Sequence, residues 1–333
     1  MQKKIFFYIA LASLFLFGSR LSIAAANEVT AEQVVEALEG TYGVTPGQRR
    51  NHIKGTCAVG EFVGSKDAAR YTRSAIFSGK PVPVIARFSL AGGNPKLADT
   101  ARNPRGMALE FKLPDGQLHN MSMLSTPVFG AATAQTFLDL TLAMRPDPLT
   151  GKPDPKKMKA FKATHPDNLA QSQYLGSNNP PVSYANSSYF GIHTFKFINK
   201  KNKTTLVRWQ FVPQDGDKQL SDAELKTFGP NFLEQALISR AQQSPARWDM
   251  VVSIGEAGDP EDNPTLAWPD TRKKIKVGTL IIKAAMPQKG AECEPVNFDP
   301  MVMADGIAPT NDPILQFRSP AYAVSFAKRS GGQ

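Results

Sequence analysis

Apolar positions change their spacing several times along the chain, and each change marks an element. Thr30 followed three residues later by Gln33 is a capping box, opening an amphipathic helix predicted to reach about Leu38. From residue 55 to 128 the pattern shortens to β-prone runs divided by turn residues. Strands are predicted over 83–90, 107–113 and 118–129, with Asp115-Gly116 as the tight turn between the last two. Helical spacing takes over at 134–144, and a Pro- and Lys-rich loop over 147–159 leads to another helix. Runs at 193–199 and 204–212 flank a turn holding Lys200, Lys201 and Lys203, as a hairpin does. Ser221 and Glu224 form a second capping box, starting a helical stretch to about Gln243 that Pro230 interrupts. Two more strands are predicted over 248–254 and 276–284, followed by an aperiodic crossing segment over 287–311. A closing helix begins at N-cap Asp312, with Pro313 at the position where a missing N–H costs nothing.

No internal repeat or Gly/Ser linker divides residues 27–333, so one domain is expected. Many short strands with later helices predict an α+β architecture, an antiparallel barrel or sheet with helices added. The start stands apart. Lys3 and Lys4, an apolar run over 5–17 and Ala24-Ala25-Ala26 read as a cleavable secretory leader over 1–26, with an uncleaved anchor as the alternative. Cleavage implies export, to a bacterial periplasm. No later stretch reaches the roughly 18 to 20 apolar residues of a membrane helix, so stable membrane insertion is not expected. The formal charge of +10 loses three basic residues with the leader and becomes +7. Those charges are scattered, which argues against a nucleic-acid partner and for solubility, with a local need for arginines against an acidic ligand. Two cysteines exclude a four-cysteine zinc site or an iron–sulfur cluster, and no Cys-x-x-Cys-His run exists to attach haem covalently.

Candidate chemistry gathers at the two ends. Arg318 and Tyr322 are four residues apart on the closing helix, so both lie on one face. A guanidinium beside a tyrosine hydroxyl favours the phenolate, a competent axial ligand for ferric haem. Arg329, two turns beyond Tyr322, shares that face. Spacing alone leaves open a surface Arg–Tyr pair that stacks for stability. Pro320, between the two, costs about 3 kcal/mol in a helix interior and suggests a bend that aims Tyr322. Near the other end, His52 lies in Arg49-Arg50-Asn51-His52-Ile53-Lys54-Gly55. An imidazole suits proton movement between two peroxide oxygens, although a lone histidine also serves as a satisfied structural residue. Arg87, in Arg87-Phe88-Ser89, sits on an otherwise apolar strand and needs an anion, either an acidic side chain or a ligand carboxylate.

Several blocks in order resemble the haem catalase family in its short, catalase-related peroxidase form. They include Arg49 to Gly60, Arg87-Phe88-Ser89, Asp99-Thr-Ala-Arg-Asn-Pro-Arg-Gly106 and Thr126-Pro-Val-Phe129. Further along come Gly191-Ile-His-Thr-Phe195, Asn263-Pro264 with Trp268-Pro269, Val277-Gly278, Phe298-Asp299-Pro300 and Arg318-Ser-Pro-Ala-Tyr322. The resemblance implies ferric haem b, held without covalent bonds between an antiparallel β-barrel of about eight strands and the C-terminal helix. It makes Tyr322 the iron ligand and Arg318 the arginine that keeps it a phenolate. It makes His52 the distal acid–base group and Ser89 its hydrogen-bonding hydroxyl. Arg49, Arg87 and Arg329 become partners of the haem propionates, and Phe137 a haem-pocket phenylalanine.

The departures shape the expected activity. Large catalases carry an asparagine before the Thr-Pro pair, binding the second peroxide oxygen; here that position is Ser125, preceded by Leu124. The shorter hydroxyl disfavours efficient dismutation. Asn51 stands where large members are apolar, making the pocket more polar, and Gly130 stands where a bulky aromatic would follow. The wrapping segment and helical domain of large catalases have no counterpart in the 11 residues after Tyr322, which implies a shorter, wider channel open to larger reductants. The resemblance thus implies a peroxidase that consumes hydrogen peroxide, and organic hydroperoxides beside it, with a small organic electron donor for detoxification in the cell envelope. A small catalase, a fatty-acid hydroperoxide-rearranging enzyme and a haem store are the alternatives. A monomer or homodimer is expected, because the contacts of tetrameric catalases use the missing segments. His119 and His165 read as turn or surface residues and His193 as structural. Cys57 and Cys293 are either bridged or separate, since sequence does not show whether their Cα atoms come within about 7 Å.

Overall fold

A computed structural model describes residues 28–333; the leader predicted over 1–26 lies outside the described residues. In chain order the elements are α1 (Ala31–Tyr42), β1 (Gly55–Gly64), β2 (Val82–Leu90), β3 (Arg105–Lys112) and β4 (Leu118–Leu124). Three helices follow, α2 (Ala134–Ala143), α3 (Pro155–Thr164) and α4 (Leu169–Ser177), then β5 (Tyr189–Phe190), β6 (Phe195–Ile198) and β7 (Thr204–Pro213). The chain continues through α5 (Glu224–Thr227), α6 (Leu233–Gln243), β8 (Ala246–Ile254), β9 (Lys274–Pro287), β10 (Ile307–Pro309) and α7 (Pro313–Ser330).

Every strand pairing is antiparallel, and the pairing closes on itself. Starting from β1, the ring runs through β2, β3, β4, β5, β7, β8 and β9 and returns to β1, an eight-stranded barrel that leaves no open edge. Beyond β7, β6 and β10 extend the sheet on one side. The interior is aromatic. Phe62 meets Phe111 edge-on with ring centres 5.5 Å apart, and Phe88 stacks on Trp248 at 5.6 Å.

β2 explains why its sequence looked apolar throughout. Val82, Val84, Ala86 and Phe88 point into the barrel core, while the alternate positions Ile85, Arg87 and Ser89 are buried on the outer wall by other parts of the chain. An arginine on this strand is therefore buried outside the barrel, where a cavity begins.

Most predicted elements appear within a few residues of their expected ends, and the exceptions have local causes. α1 runs on to Tyr42, where Gly43 adopts φ +79° and stops it. The strand predicted to Phe129 ends at Leu124, because Ser125 pairs with Arg105 through both its N–H and its hydroxyl and the chain turns away. The stretch after Ser221 splits into α5 and α6 around Pro230, whose carbonyl accepts hydrogen bonds from Asp99 N–H and the Lys54 ammonium. α7 continues unbroken past Pro320, which faces solvent.

His119 overturns the expectation of a turn or surface residue. It lies on β4, fully buried, with Nδ1 accepting the Ala304 N–H and its ring 5.6 Å from that of Phe111. His165 is a partly exposed residue stacked on Phe161. Cys57 and Cys293 are joined as a disulfide with Cα atoms 5.5 Å apart. Among the described residues no helix is long and apolar enough to cross a membrane.

Candidate functional site

A cavity partly open to solvent lies between the outer wall of the barrel and α7. Its α7 wall is a stripe at helical spacing: Ile314, Arg318, Ala321, Tyr322, Ser325 and Arg329. The helix spends its apolar face on the cavity rather than on neighbouring protein, which is why only Ile314 and Leu315 in it are fully buried. Val34, Val35 and Leu38 of α1 form another wall, and Phe137 of α2 enters stacked on Phe129 with ring centres 5.9 Å apart. β2, β3 and β4 contribute Arg87, Ser89, Gly106, Ala108, Ser122 and Leu124. Apolar walls with a few convergent polar groups are the ordinary make-up of a cofactor pocket.

One polar group is centred on His52. Its backbone is left-handed, with φ +53°, a conformation that costs a side-chain-bearing residue energy and needs support. The support comes from Asn51, whose Oδ1 accepts the N–H groups of both His52 and Gly92 at 2.8 Å. The His52 carbonyl accepts from Arg87 at 2.7 Å, and Nδ1 lies 2.9 Å from Ser89 Oγ. Burial pushes the imidazole pKa down to about 3, with help from the guanidinium charges of Arg87, Arg318 and Arg49, so the ring is a free base at neutral pH. Gly106, opposite Ser89 in the β2–β3 register, makes room for this pair. A Cβ there would come within 2.7 Å of Ser89 Oγ and 3.0 Å of the imidazole ring.

The second group is a chain of four. Arg318 Nη2 donates to the Tyr322 hydroxyl oxygen at 3.0 Å, and Arg318 Nη1 lies 3.1 Å from His193 Nε2. His193 Nδ1 is 2.6 Å from Asp312 Oδ2. Because a guanidinium only donates, Nε2 accepts and the imidazole proton sits on Nδ1, facing the carboxylate. Asp312 does double duty. Its other oxygen caps α7 by accepting from the N–H groups of Ile314 and Leu315. Both His193 and Asp312 are buried, which locks Arg318 in place without a direct carboxylate partner.

The third group is arginine-rich. Arg49 donates to the carbonyls of Cys293, Glu294 and Val296, and Arg329 to those of Glu294 and Pro295. Arg87 binds the Gln288 side chain and the carbonyls of His52 and Ile53. Burial, followed by the neighbouring charges of Arg87 and Arg329, pushes the Arg49 pKa down to about 8; burial brings Arg87 to about 10 and lowers Arg329. Three crowded guanidinia served by carbonyls and an amide suit a ligand carrying carboxylates.

The sequence expectations sort clearly against this geometry. Arg49, His52, Arg87, Ser89, Phe137, Arg318, Tyr322 and Arg329 all line the one cavity. Ser125 does not. Its hydroxyl accepts the Arg105 N–H at 2.9 Å on the far side of the strand end, and Leu124 takes the cavity-facing place. Asn51 borders the cavity, but its amide oxygen is committed to two backbone N–H groups, so it adds structure before polarity. Sequence reasoning gave no role to Gly106, Gln288 or the His193–Asp312 link. Gly106 closes the Asp99–Gly106 block, whereas nothing in the sequence around Gln288 signals its contact with Arg87.

The donor set fits haem. A phenol held by a guanidinium, an imidazole held as a free base, three arginines for two carboxylates, and apolar walls for a flat macrocycle all border one space. Comparisons with known proteins agree. The catalase family model matches residues 44–333. A catalase-related peroxidase of Synechococcus elongatus is 60% identical over 97% of this chain and 96% of its own length. A catalase-related peroxidase of Mycolicibacterium paratuberculosis is 36% identical over 91% of this chain and 96% of its own. Catalase A from Saccharomyces cerevisiae superposes with a TM-score of 0.79 at 25% identity, covering 86% of this chain and 62% of the yeast one. Matched almost end to end by proteins of its own length and over its barrel by a longer one, the chain belongs to the catalase family, beside the catalase-related peroxidases.

Proposed function

We propose that this protein is a haem-dependent peroxidase that reduces hydrogen peroxide, and organic hydroperoxides beside it, with electrons from a small organic donor. The observation that carries the reading is that the His52–Ser89 pair and the Arg318–Tyr322 pair border the same cavity. Bound there, haem b would supply the iron that accepts peroxide and stores two oxidising equivalents. Tyr322 would hold the iron without a covalent bond to the macrocycle, and Arg49, Arg87 and Arg329 would take the propionates.

The chain's own residues do the rest. His52, a free base, accepts the proton of an incoming peroxide at Nε2 and returns it to the departing oxygen. Ser89 fixes the ring through Nδ1, leaving Nε2 as the working atom. Arg318 donates to the Tyr322 oxygen, which stabilises negative charge on it, and the His193–Asp312 link keeps the guanidinium aimed. With Leu124 at the cavity wall and Ser125 turned away, the position that carries an asparagine in large catalases offers no side-chain amide to a second peroxide. That favours an organic donor over dismutation. A cleaved leader would place the activity in the periplasm, and the resemblance favours a monomer or homodimer.

The test is oxygen evolution from hydrogen peroxide alone, measured on haem-loaded protein beside oxidation of an added phenolic donor. Donor oxidation with little oxygen is expected. Vigorous oxygen release would make the protein a small catalase.

A further inference from the structure

We infer that the Cys57–Cys293 disulfide is a positioning clamp for the haem site: it fastens to the barrel the strap that aims Arg49, Arg87 and Arg329. The inference rests on the haem reading above.

The strap is the stretch 288–298, which follows β9 and has no strand or helix of its own. Each of the three arginines is held by it. Gln288 Oε1 accepts two bonds from Arg87, at 2.7 and 3.1 Å, while its Nε2 donates to the Ile53 carbonyl. Cys293, Glu294 and Val296 give their carbonyls to Arg49, and Glu294 and Pro295 give theirs to Arg329. These guanidinia carry like charge and crowd one another, so their directions depend on acceptors that stay in place.

At its start the strap is tied to the barrel by β9, whose Pro287 pairs with Thr56 one residue before Gln288. Inside the strap there are two turn bonds, from Ala291 N–H to the Gln288 carbonyl and from Glu294 N–H to the Ala291 carbonyl, and one from Gly290 N–H to the Glu294 carboxylate. At its far end Ser122 and Asn120 bind the carbonyls of Phe298 and Asn297. In the middle, where the arginines grip, an exposed Lys112–Glu292 ion pair at 3.9 Å contributes little, and the covalent attachment is Cys293. It is bonded to Cys57 on β1, and Cys57 stands directly opposite Arg87 in the β1–β2 register. Ile85 and Phe298 pack around the sulfur atoms, and both cysteines are buried. A covalent bond thus ties the carbonyl-bearing segment to the strand beside the arginine it must serve.

The test is haem release from loaded protein to excess apomyoglobin, followed by the Soret band. Cys57→Ser/Cys293→Ser is expected to release haem about tenfold faster or more, the range seen when groups supporting a ligand set are removed. The same holds for loaded wild-type protein after reduction by excess dithiol. There two electrons and two protons reach the S–S bond, leaving two thiols and the oxidised reagent, so no variant has to fold. A general loss of stability is separated by repeating the comparison in Arg49→Met. If the clamp acts through the strap carbonyls, losing the disulfide adds much less in that background, whereas independent effects would multiply. Unchanged release after reduction, or equal acceleration with and without Arg49, overturns the inference. Unmodified protein that takes up no haem overturns the haem reading itself, a result distinct from either.

Discussion

Gly106→Ala tests the distal geometry with a single methyl. Gly106 lies within β3, opposite Ser89, and its backbone does not adopt positive φ, so alanine acts by volume alone. The new Cβ would sit 2.7 Å from Ser89 Oγ and 3.0 Å from both Cε1 and Nδ1 of His52. The 2.7 Å contact forces a shift and the 3.0 Å ones ask the imidazole to give by a few tenths of an ångström, and the neighbours are pinned. His52 is held by the Asn51 and Arg87 bonds to its backbone, and Ser89 by the ladder on both sides of β2. Overfilling of this kind costs about 1–3 kcal/mol, and swinging Ser89 or the imidazole away costs their 2.9 Å hydrogen bond, about 1 kcal/mol more. The kinetic loss is larger than the stability loss. A positioned acid–base group contributes about 10²–10⁴-fold, and a misplacement of about 1 Å forfeits roughly 10²-fold. The second-order rate of reaction with hydrogen peroxide, by stopped flow on haem-loaded protein, should therefore fall about a hundredfold while haem occupancy is kept. Ser89→Ala removes the nearest obstructing atom, so adding it to Gly106→Ala should recover part of the lost rate. A Gly106→Ala protein as fast as wild type would refute the role of this glycine and of the His52–Ser89 geometry built on it.

Other expectations are as direct. Ser125→Ala should leave the peroxide reaction unchanged and lower stability by about 1 kcal/mol in urea unfolding, since only the Arg105 N–H loses its acceptor; a slowed reaction would return Ser125 to the cavity. Tyr322→Phe should abolish the charge-transfer bands of a phenolate ligand, and an unchanged spectrum would rule out the proximal assignment. His119 is held neutral by burial, with its pKa pushed from 6.5 down to about 3, so the unfolded chain takes up a proton that the folded one refuses. That contribution is complete above pH 6.5 and lost as pH falls toward 3, at about 1.4 kcal/mol per pH unit. His119→Gln should therefore unfold at lower pH in an acid titration followed by circular dichroism, and an unchanged midpoint would show that another group sets the acid limb.

What was legible in the sequence divides along the reach of each signal. The α7 arrangement could be read because its information is local: Asp312, Pro313, Arg318, Tyr322 and Arg329 occupy one helix at fixed spacings. His52 and Arg87 stood out as types, an imidazole in a basic run and an arginine on an apolar strand, but their use depended on the family blocks. Ser125 shows the limit of alignment by position. A strand carries side chains to alternate faces, so the exchange of one residue at the end of β4 decides whether Leu124 or Ser125 meets the cavity. His119 lies near the start of the predicted strand, two residues past the Asp115–Gln117 turn, and its burial depends on packing around β4 that no local spacing reveals. The contacts of Gln288, the Asp312–His193 link and the disulfide join segments 201, 119 and 236 residues apart, and no spacing rule spans such distances. These long-range ties share a purpose that the local signals do not have. The two hydrogen-bonded pairs that face the cavity, His52–Ser89 and Arg318–Tyr322, come from the first strand group and the last helix, at opposite ends of the chain, and the fold brings them together. Their relative positions must then be fixed by bonds between distant segments, which is why the supporting residues, more than the reacting ones, stayed hidden from the sequence.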